Sequence, residues 1–278
     1  MLNSSLVRLL ATSLLCSSLA EASEIVTQYD ILGKHVKRIH FNEIVSTQLY
    51  SRKDVKLDAL NKDNWVLVTA DMQTGGIGSH SRKWISHIPG NVYATLNFPI
   101  EVSDPNDFAM MRNVFSLAVL EVMKDYLPDA HVAYKWPNDA LVNGKKIAGV
   151  LCEYQTLEKN IYHGIVGIGI NVNLSKEILA EIDQPATSMV LEGGKNISKE
   201  DILNAVIEKA IALMNNMPSV ESDLKKCFAF AGEEVVVHDD TKNLDICGIL
   251  EGIGENGALL INVGGEVYSV INGTVIKK

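Results

Sequence analysis

The feature that most constrains the fold is the dipeptide Asn143-Gly144, which separates two short apolar runs. Asn-Gly between such runs is the strongest short-range indicator of a two-residue β-hairpin, because both turn positions need a positive φ. The fold-back returns the strand that carries Lys146 alongside Asn138 and Asp139, so that an ammonium and a carboxylate can converge on one pocket. The alternative is a solvated turn whose charged side chains face water, and for Lys145 we adopt that interpretation.

Outside the hairpin, strand and helix patterns alternate along most of the chain. Clusters of apolar and β-branched residues predict strands at 37–44, 65–70, 91–98, 132–136, 146–154 and 161–172. Pro137 removes a ladder hydrogen bond, so it marks a strand end at which side chains open into a cleft. Asp104 and Pro105 suit the N-cap and first position of a helix that Pro128 stops. A second helix is predicted from residue 198 to about residue 215.

Both predicted helices have an apolar stripe that we interpret as core. The stripe residues are Phe108, Met111, Phe115, Leu117 and Val119 in the first helix and Ile202, Val206, Ala210 and Leu213 in the second. From residue 228 the pattern changes to short strands with Gly-rich turns at 255–257, 263–265 and 272–273. These predict a small β-barrel-like module of about 50 residues. The predicted fold class is α+β: a mixed β-sheet with packed helices, followed by this module.

Composition excludes several function classes. The 278 residues carry a formal net charge of -9, which argues against a nucleic-acid partner, because binding to phosphate backbones depends on clustered Lys and Arg. The four cysteines have no CxxC pairing, which argues against a structural zinc or a disulfide framework and favours a reducing compartment. No stretch beyond the first residues approaches the run of about 18 apolar residues that a membrane span needs.

Residues 1–22 form a separate leader in this reading. They contain one basic residue, Arg8, a Leu-rich apolar stretch, and small residues at Ala20 and Ala22, which is the outline of a secretory signal or an organellar transit peptide. An amphipathic N-terminal helix is the third alternative. Since the cysteines favour a reducing compartment, we expect a cytoplasmic protein, or an organellar one if the leader is a transit peptide.

Two motifs resemble those of the biotin protein ligase family. Lys135-Trp136-Pro137-Asn138-Asp139, followed by Lys-Ile-Ala-Gly-Val-Leu at 146–151, is similar to the signature of that family. Gly167-Ile168-Gly169-Ile170-Asn171 resembles its Gly-x-Gly-x-Asn strand, although Gly-x-Gly alone is weak and a β-bulge would explain it equally well. The resemblance implies a class II synthetase-like catalytic domain at 23–226 and an SH3-like β domain at 227–278.

The resemblance also implies an activity, in which biotin is activated by Mg·ATP as an acyl-adenylate and attached to a lysine of a biotin carboxyl carrier protein. The implied catalytic residues are Lys146, Asp139 and Asn138. Asp139 and Asn171 would help to hold Mg²⁺, which prefers hard oxygen ligands. The residues implied to bind biotin are Ser46, Thr47, Gln73, Gly76, Gly78, Lys146, Gly167 and Gly169, and those implied to bind the nucleotide are Arg82, Lys83, Trp84, Lys135 and Asn171.

The chain departs from the family pattern in two places. Gln48 stands where the family usually has Asn. The ligand-covering loop, residues 73–84, normally reads Gly-Arg-Gly-Arg, and here Ile77 and Ser79 replace both arginines. Neither replacement can bind phosphate or carboxylate as an arginine fork does. We therefore expect Arg82 or Lys83 to supply part of the missing charge; the alternative is that the loop has lost its role.

Two other function classes stay open on sequence. A lipoate or octanoate transferase shares the resemblance in fold, but the signature favours biotin. A biotin-binding protein with weakened or lost transfer is supported by the missing arginines. DNA regulation is disfavoured, because only about 40 residues precede the first catalytic strand, fewer than a helix-turn-helix domain needs. The sequence leaves open which carrier protein is modified and whether the chain forms a homodimer.

Overall fold

The computed structural model describes residues 24–58, 61–104, 106–193, 197–254 and 257–277. The leader, Pro105 and two residues of the turn predicted at 255–257 lie outside these ranges. The strands are β1 (Glu24–Ile31), β2 (Lys34–Ile44), β3 (Asn64–Gln73), β4 (Val92–Glu101), β5 (Val132–Lys135), β6 (Asp139–Val142), β7 (Lys145–Glu158), β8 (Ile161–Ile170), β9 (Glu234–Asp239), β10 (Leu244–Ile253), β11 (Leu259–Val263), β12 (Glu266–Val270) and β13 (Gly273–Lys277). The α-helices are α1 (Thr47–Lys53), α2 (Asn106–Tyr126), α3 (Lys176–Leu179), α4 (Lys199–Met214) and α5 (Val220–Lys226).

The chain divides into two compact units. The first contains the described residues up to Ser103 together with Leu151–Leu174. Its strand order is β1-β2-β3-β4-β8, followed by the second half of β7. The pairing of β2 with β3 is parallel, whereas β1 with β2, β3 with β4, and β4 with β8 are antiparallel. The sheet is therefore mixed, as predicted.

Helix α1 packs on one face of this sheet. Tyr50 on α1 lies edge-on to Phe41 on β2, with ring centroids 5.0 Å apart. The two rings join a cluster with Ile39, Val68 and Ala70. Burial of this apolar surface fixes α1 against the parallel strands, so the residues at the start of α1 are held beside the ends of β2 and β3.

The second unit contains the remaining residues, Asp104–Val150 and Ser175–Lys278. Here β6 pairs with β5 and with the first half of β7, and helix α2 packs on α4 and α5. The C-terminal module is a five-stranded antiparallel sheet in the order β12-β11-β10-β9-β13. Gly264 and Gly265, at φ of 62° and 99°, form the two-residue turn between β11 and β12.

The predicted strands and both predicted helices are confirmed. Helix α4 begins after Ser198, whose hydroxyl accepts a hydrogen bond from the amide of Asp201, and ends at Met214, with Asn215 as its C-cap. Both stripes are buried except for their end residues, Phe108 and Leu213, which are half-buried. Strand β1 and helix α1 were not predicted. No described helix is long and apolar enough to cross a membrane.

Candidate active site

The predicted hairpin is present in the second unit. Asn143 and Gly144 have φ of 50° and 76°, and the turn pairs Leu141 with Lys146. Because side chains alternate along a strand, Lys146 lies on the same face as Asp139, two residues before Leu141. The ammonium Nζ of Lys146 is 2.7 Å from Oδ1 of Asp139, and the two side chains are 17% and 14% exposed. The turn therefore brings two of the predicted catalytic side chains into contact.

The segment before the hairpin is anchored by its own residues. A cis peptide bond joins Trp136 to Pro137, between β5 and β6. The amide Nδ2 of Asn138 donates to the main-chain oxygen of Val150 at 2.6 Å, and the Val150 amide donates back to the oxygen of Asn138 at 3.0 Å. Asn138 thus ties the signature to β7. Lys135 is half-buried and pairs with Asp139 across the β5–β6 ladder.

Trp136 makes a contact that sequence reasoning missed. Its ring is buried, and its indole N–H donates to the main-chain oxygen of Gly257 at 3.0 Å. Arg112 on α2 donates to the same oxygen at 3.4 Å, and its guanidinium lies 6.0 Å from the indole centroid. The signature is therefore fastened to the turn before β11. The partners are separated by more than a hundred residues, and no local pattern indicates the contact.

In the first unit, the start of α1 forms a buried polar cluster with β3 and β4. Ser46 caps the helix by accepting from the amide of Leu49. Oε1 of Gln73 accepts from the amide and the hydroxyl of Thr47, at 2.8 and 3.2 Å. The Thr95 hydroxyl in turn donates to that of Thr47 at 2.9 Å. Because the Gln73 carbonyl is engaged in this way, its amide Nε2 is the group left to donate to a ligand.

The predicted Gly-x-Gly strand is a regular part of the sheet. The β4–β8 register runs without a shift from Val92 opposite Ile170 to Glu101 opposite Ile161, so the bulge alternative is wrong. Asn171, which follows β8 directly, is buried. Opposite Gly169, burial raises the pKa of Tyr93 to about 12, so its hydroxyl stays neutral.

Protein side chains lie directly on the backbone at both glycines. A Cβ on Gly167 would lie 2.6 Å from Oε1 of Gln48, and one on Gly169 would lie 2.6 Å from the ring of Trp84. The Thr95 hydroxyl, which donates to Thr47, also lies 3.2 Å from Oε1 of Gln48. Gln48 and Trp84 thus cover the two glycines, and sequence reasoning had not placed Gln48 or Thr95 there.

The loop that carries Trp84 is a small folded hairpin. The amide of Gly78 donates to the oxygen of Arg82 at 2.7 Å, and the amide of Trp84 donates to that of Gly76 at 2.9 Å. A Cβ on Gly76 would lie 2.3 Å from the Ser86 hydroxyl, so this glycine permits close packing of the loop. The fold of the loop brings Trp84 to Gly169.

The predicted basic residues of the loop face outward. Arg82 and Lys83 are exposed, and Nε of Arg82 donates to the main-chain oxygen of Ser79 at 3.2 Å. His80, at the tip of the loop with φ of 56°, is also exposed. The loop therefore places Trp84, but neither of the two cations, on the Gly-x-Gly strand.

No group of three or more His, Cys, Asp or Glu side chains that could hold a metal occurs among the described residues. The predicted metal ligands Asp139 and Asn171 belong to different units. Mg²⁺ commonly binds through one or two carboxylates together with substrate phosphates and water. A single carboxylate such as Asp139 therefore fits Mg²⁺ that arrives with the nucleotide as part of the substrate.

Comparison with known proteins agrees with these features. The model of the Biotin/lipoate A/B protein ligase family matches residues 41–171, which contain every predicted site residue. A solved structure, the biotin protein ligase from Aquifex aeolicus in complex with biotin and ATP, is 27% identical and has a TM-score of 0.69. The similarity covers 86% of this chain and 97% of that one. In matched domain and in fold, the chain resembles the biotin protein ligases.

Two curated relatives extend this assignment. The biotin–[acetyl-CoA-carboxylase] ligase of Mycobacterium tuberculosis is 27% identical over 217 residues, covering 76% of this chain and 78% of the relative. The bifunctional ligase/repressor BirA of Bacillus spizizenii is 31% identical over 181 residues, covering 64% of this chain and 53% of the relative. The match thus spans about half the length of that bifunctional ligase/repressor.

Proposed function

We propose that the protein activates biotin with ATP as biotinyl-5'-AMP and transfers the biotinyl group to a lysine of a biotin carboxyl carrier protein. The observation that carries this proposal is the contact between Lys146 and Asp139 on the signature hairpin. It holds an ammonium and a carboxylate, which the two chemical steps need, on one face of a rigid two-stranded element. The acceptor is proposed from the names of relatives that act on acetyl-CoA carboxylase.

In the first step, a carboxylate oxygen of biotin attacks the α-phosphorus of Mg·ATP. The bond from that phosphorus to the bridging oxygen breaks, and pyrophosphate leaves with the electron pair. Lys146 stabilises the negative charge on the α-phosphate and the biotin carboxyl oxygen as the bond forms. Stabilisation of developing charge is usually the largest single term in catalysis. Lys135 and Asn171 are proposed to bind the nucleotide.

In the second step, the acceptor lysine attacks the acyl carbon of the adenylate. An amide bond forms, the bond from the acyl carbon to the phosphate oxygen breaks, and AMP leaves. The attacking amine must lose a proton. Asp139 is the carboxylate that we propose to assist this transfer, because it lies beside Lys146 on the signature hairpin.

Recognition of biotin is proposed for the buried polar cluster at the start of α1. The ureido ring of biotin is neutral and offers both donors and acceptors. The Gln73 amide, held by Thr47, and the Ser46 hydroxyl are the matching neutral groups. Trp84 on Gly169 supplies an apolar surface for the rest of the ligand. Because one of the proposed substrates is ATP, we place the protein in the cytoplasm, or in an organelle that contains ATP.

The proposal is tested by ATP–pyrophosphate exchange with biotin, lipoate and octanoate as alternative acids. We expect exchange that depends on biotin and is at least tenfold weaker with the other two acids, since a polar site rejects ligands that leave its groups unpaired. Exchange that favours lipoate or octanoate would assign the chain to the transferase alternative. Biotin binding without any exchange would assign it to the binding-protein alternative, which the outward-facing Arg82 and Lys83 favour.

A further inference from the structure

Glu192 has a contact pattern that the proposed reaction does not use. Its carboxylate is 10% exposed and accepts two hydrogen bonds, from the Thr187 hydroxyl to Oε1 and from the Asn143 amide to Oε2, both at 2.6 Å. The ammonium of Lys145 lies farther away, at 3.9 Å. We call Asn143, Thr187 and Glu192 the Glu192 clamp.

The two partners of Glu192 lie on either side of Lys146. Asn143 is the first turn residue, three positions before it. Thr187 belongs to a segment that pairs with the main chain of Lys146 itself: the Lys146 amide donates to the oxygen of Pro185, and the Thr187 amide donates to the oxygen of Lys146, both at 2.9 Å. One carboxylate therefore joins the turn to the segment that holds both main-chain groups of Lys146.

Asn143 is in addition fixed from its other side. Its main-chain N–H donates to the main-chain oxygen of His131 at 2.9 Å, and its side-chain Oδ1 accepts from the main-chain N–H of His131 at 3.1 Å. Because Oδ1 of Asn143 accepts from His131, the side-chain group of Asn143 that faces Glu192 is the donor Nδ2. Its partner at position 192 must therefore be a hydrogen-bond acceptor. The Thr187 hydroxyl donates to the other oxygen, so each carboxylate oxygen of Glu192 accepts one hydrogen bond.

We propose that Glu192 is a positioning residue for adenylation, which holds the main chain of Lys146 so that the ammonium meets the charge that develops on the α-phosphate. The inference rests on the proposed function, since it assigns Lys146 that role. A displacement of about 1 Å at a reacting group can lower a rate by about a hundredfold. The clamp prevents such a displacement of the Lys146 main chain, from which the long and flexible side chain extends.

A reciprocal exchange of donor and acceptor tests the clamp. Asn143→Asp places a carboxylate against that of Glu192, and Glu192→Ala removes the acceptor, so each of these single variants breaks the contact. Glu192→Gln alone need not do so, because its carbonyl can accept from Asn143 while its amide donates to the Thr187 hydroxyl. The double variant combines Asn143→Asp with Glu192→Gln. In the double variant the new carboxylate at 143 accepts from the new amide at 192, the His131 contact is kept, and no side chain changes size appreciably.

The measurement is biotin-dependent pyrophosphate exchange, with kcat and the KM for biotin determined separately. We expect kcat to fall about ten- to a hundredfold in each single variant, with the KM within about threefold, and to recover in the double variant to within about threefold of wild type. Glu121→Gln is the matched control, because that carboxylate pairs with Lys209 on the α2–α4 surface. It should leave kcat unchanged.

Amide hydrogen exchange of the peptide around Lys146 gives a readout that needs no activity. Protection should fall in the single variants and return in the double variant. Single variants with unchanged kcat and protection, or a double variant no better than either single one, would overturn the inference. A wild-type chain without exchange activity would overturn the proposed function and with it the catalytic role of the clamp, while hydrogen exchange would still report whether the clamp holds the strand.

Discussion

The ammonium of Lys146 lies 2.7 Å from the carboxylate of Asp139, and the two side chains are mostly buried. Each charge is therefore balanced by the other before any ligand is present. Removing one partner of such a pair leaves the other as a partly buried, uncompensated charge. Variants of the two residues must accordingly be judged by rate and by folding together.

Lys146→Ala should lower the rate of biotin-dependent pyrophosphate exchange by about a hundredfold or more, because the charge that develops in adenylation loses its donor. The matched control is Lys145→Ala, since Lys145 is the adjacent lysine and is 53% exposed. We expect the control to retain the rate within severalfold. A Lys146→Ala protein that is folded by circular dichroism and exchanges at the wild-type rate would remove Lys146 from the mechanism.

Gly169→Ala should weaken biotin binding, because the new Cβ would lie 2.6 Å from the Trp84 ring and displace it. We expect the dissociation constant for biotin, measured by calorimetry, to rise about tenfold or more, the range associated with losing one well-packed aromatic contact. Gly164→Ala is the control on the same strand, where the new Cβ would meet the Phe98 ring at 3.1 Å. Equal affinities for the two variants would contradict the assigned role of Trp84.

The altered loop predicts early loss of the intermediate. Charge-assisted hydrogen bonds are worth roughly 1.5 to 3 kcal/mol each, so loss of the arginines at positions 77 and 79 should speed release of biotinyl-adenylate about ten- to a hundredfold. Some labelling of lysines on bystander proteins should follow. Ser79→Arg should slow that release and suppress bystander labelling, whereas Ser79→Ala should not. If Arg82 or Lys83 already compensates, Ser79→Arg will change neither quantity or will slow the reaction.

His163 predicts a pH dependence of stability. It is buried with its Nε2 2.9 Å from Oδ1 of Asn97, and burial, assisted by the charge of Lys56, lowers its pKa from 6.5 to about 4. Between these pH values the unfolded chain binds a proton that the folded chain does not, so this contribution to stability is lost as the pH falls through that window. The loss amounts to at most about 3 kcal/mol.

Urea unfolding at pH 7 and pH 5 measures this effect. His163→Gln keeps a donor for Asn97 but cannot titrate, so the difference between the two pH values should shrink relative to wild type. His35→Gln is the control, because that side chain is 48% exposed. A pH dependence that is the same in the wild type and His163→Gln proteins would show that His163 does not contribute.

The parts of the site that were predictable from sequence are those specified locally. The turn at Asn143-Gly144 pairs Leu141 with Lys146, and the alternation of side chains along β6 puts Asp139 on the same face, although the register shifts between Ala140 and Leu141. Helix α1 was missed because its buried residues, Thr47, Gln48 and Ser51, are polar, so no apolar stripe marks it. Strand β1 was missed because most of its residues are at least partly exposed on both faces.

The remaining contacts are non-local. The bonds from Trp136 to Gly257 and from Asn143 to Glu192 join residues 121 and 49 positions apart. No period or motif in one sequence encodes such pairs. The two glycines of the Gly-x-Gly strand were recognised from the sequence. That the side chains of Gln48 and Trp84 pack on them follows only from the three-dimensional structure.

The most direct test of the account is incubation of the full chain with biotin, Mg·ATP and a purified biotin carboxyl carrier domain, followed by intact-mass spectrometry of the acceptor. We expect the acceptor to gain the mass of one biotinyl group on a single lysine, and only when both biotin and ATP are present. Substitution of that lysine by arginine should abolish the gain. An acceptor whose mass is unchanged, in a reaction where the chain demonstrably binds biotin, would contradict the assignment of ligase activity.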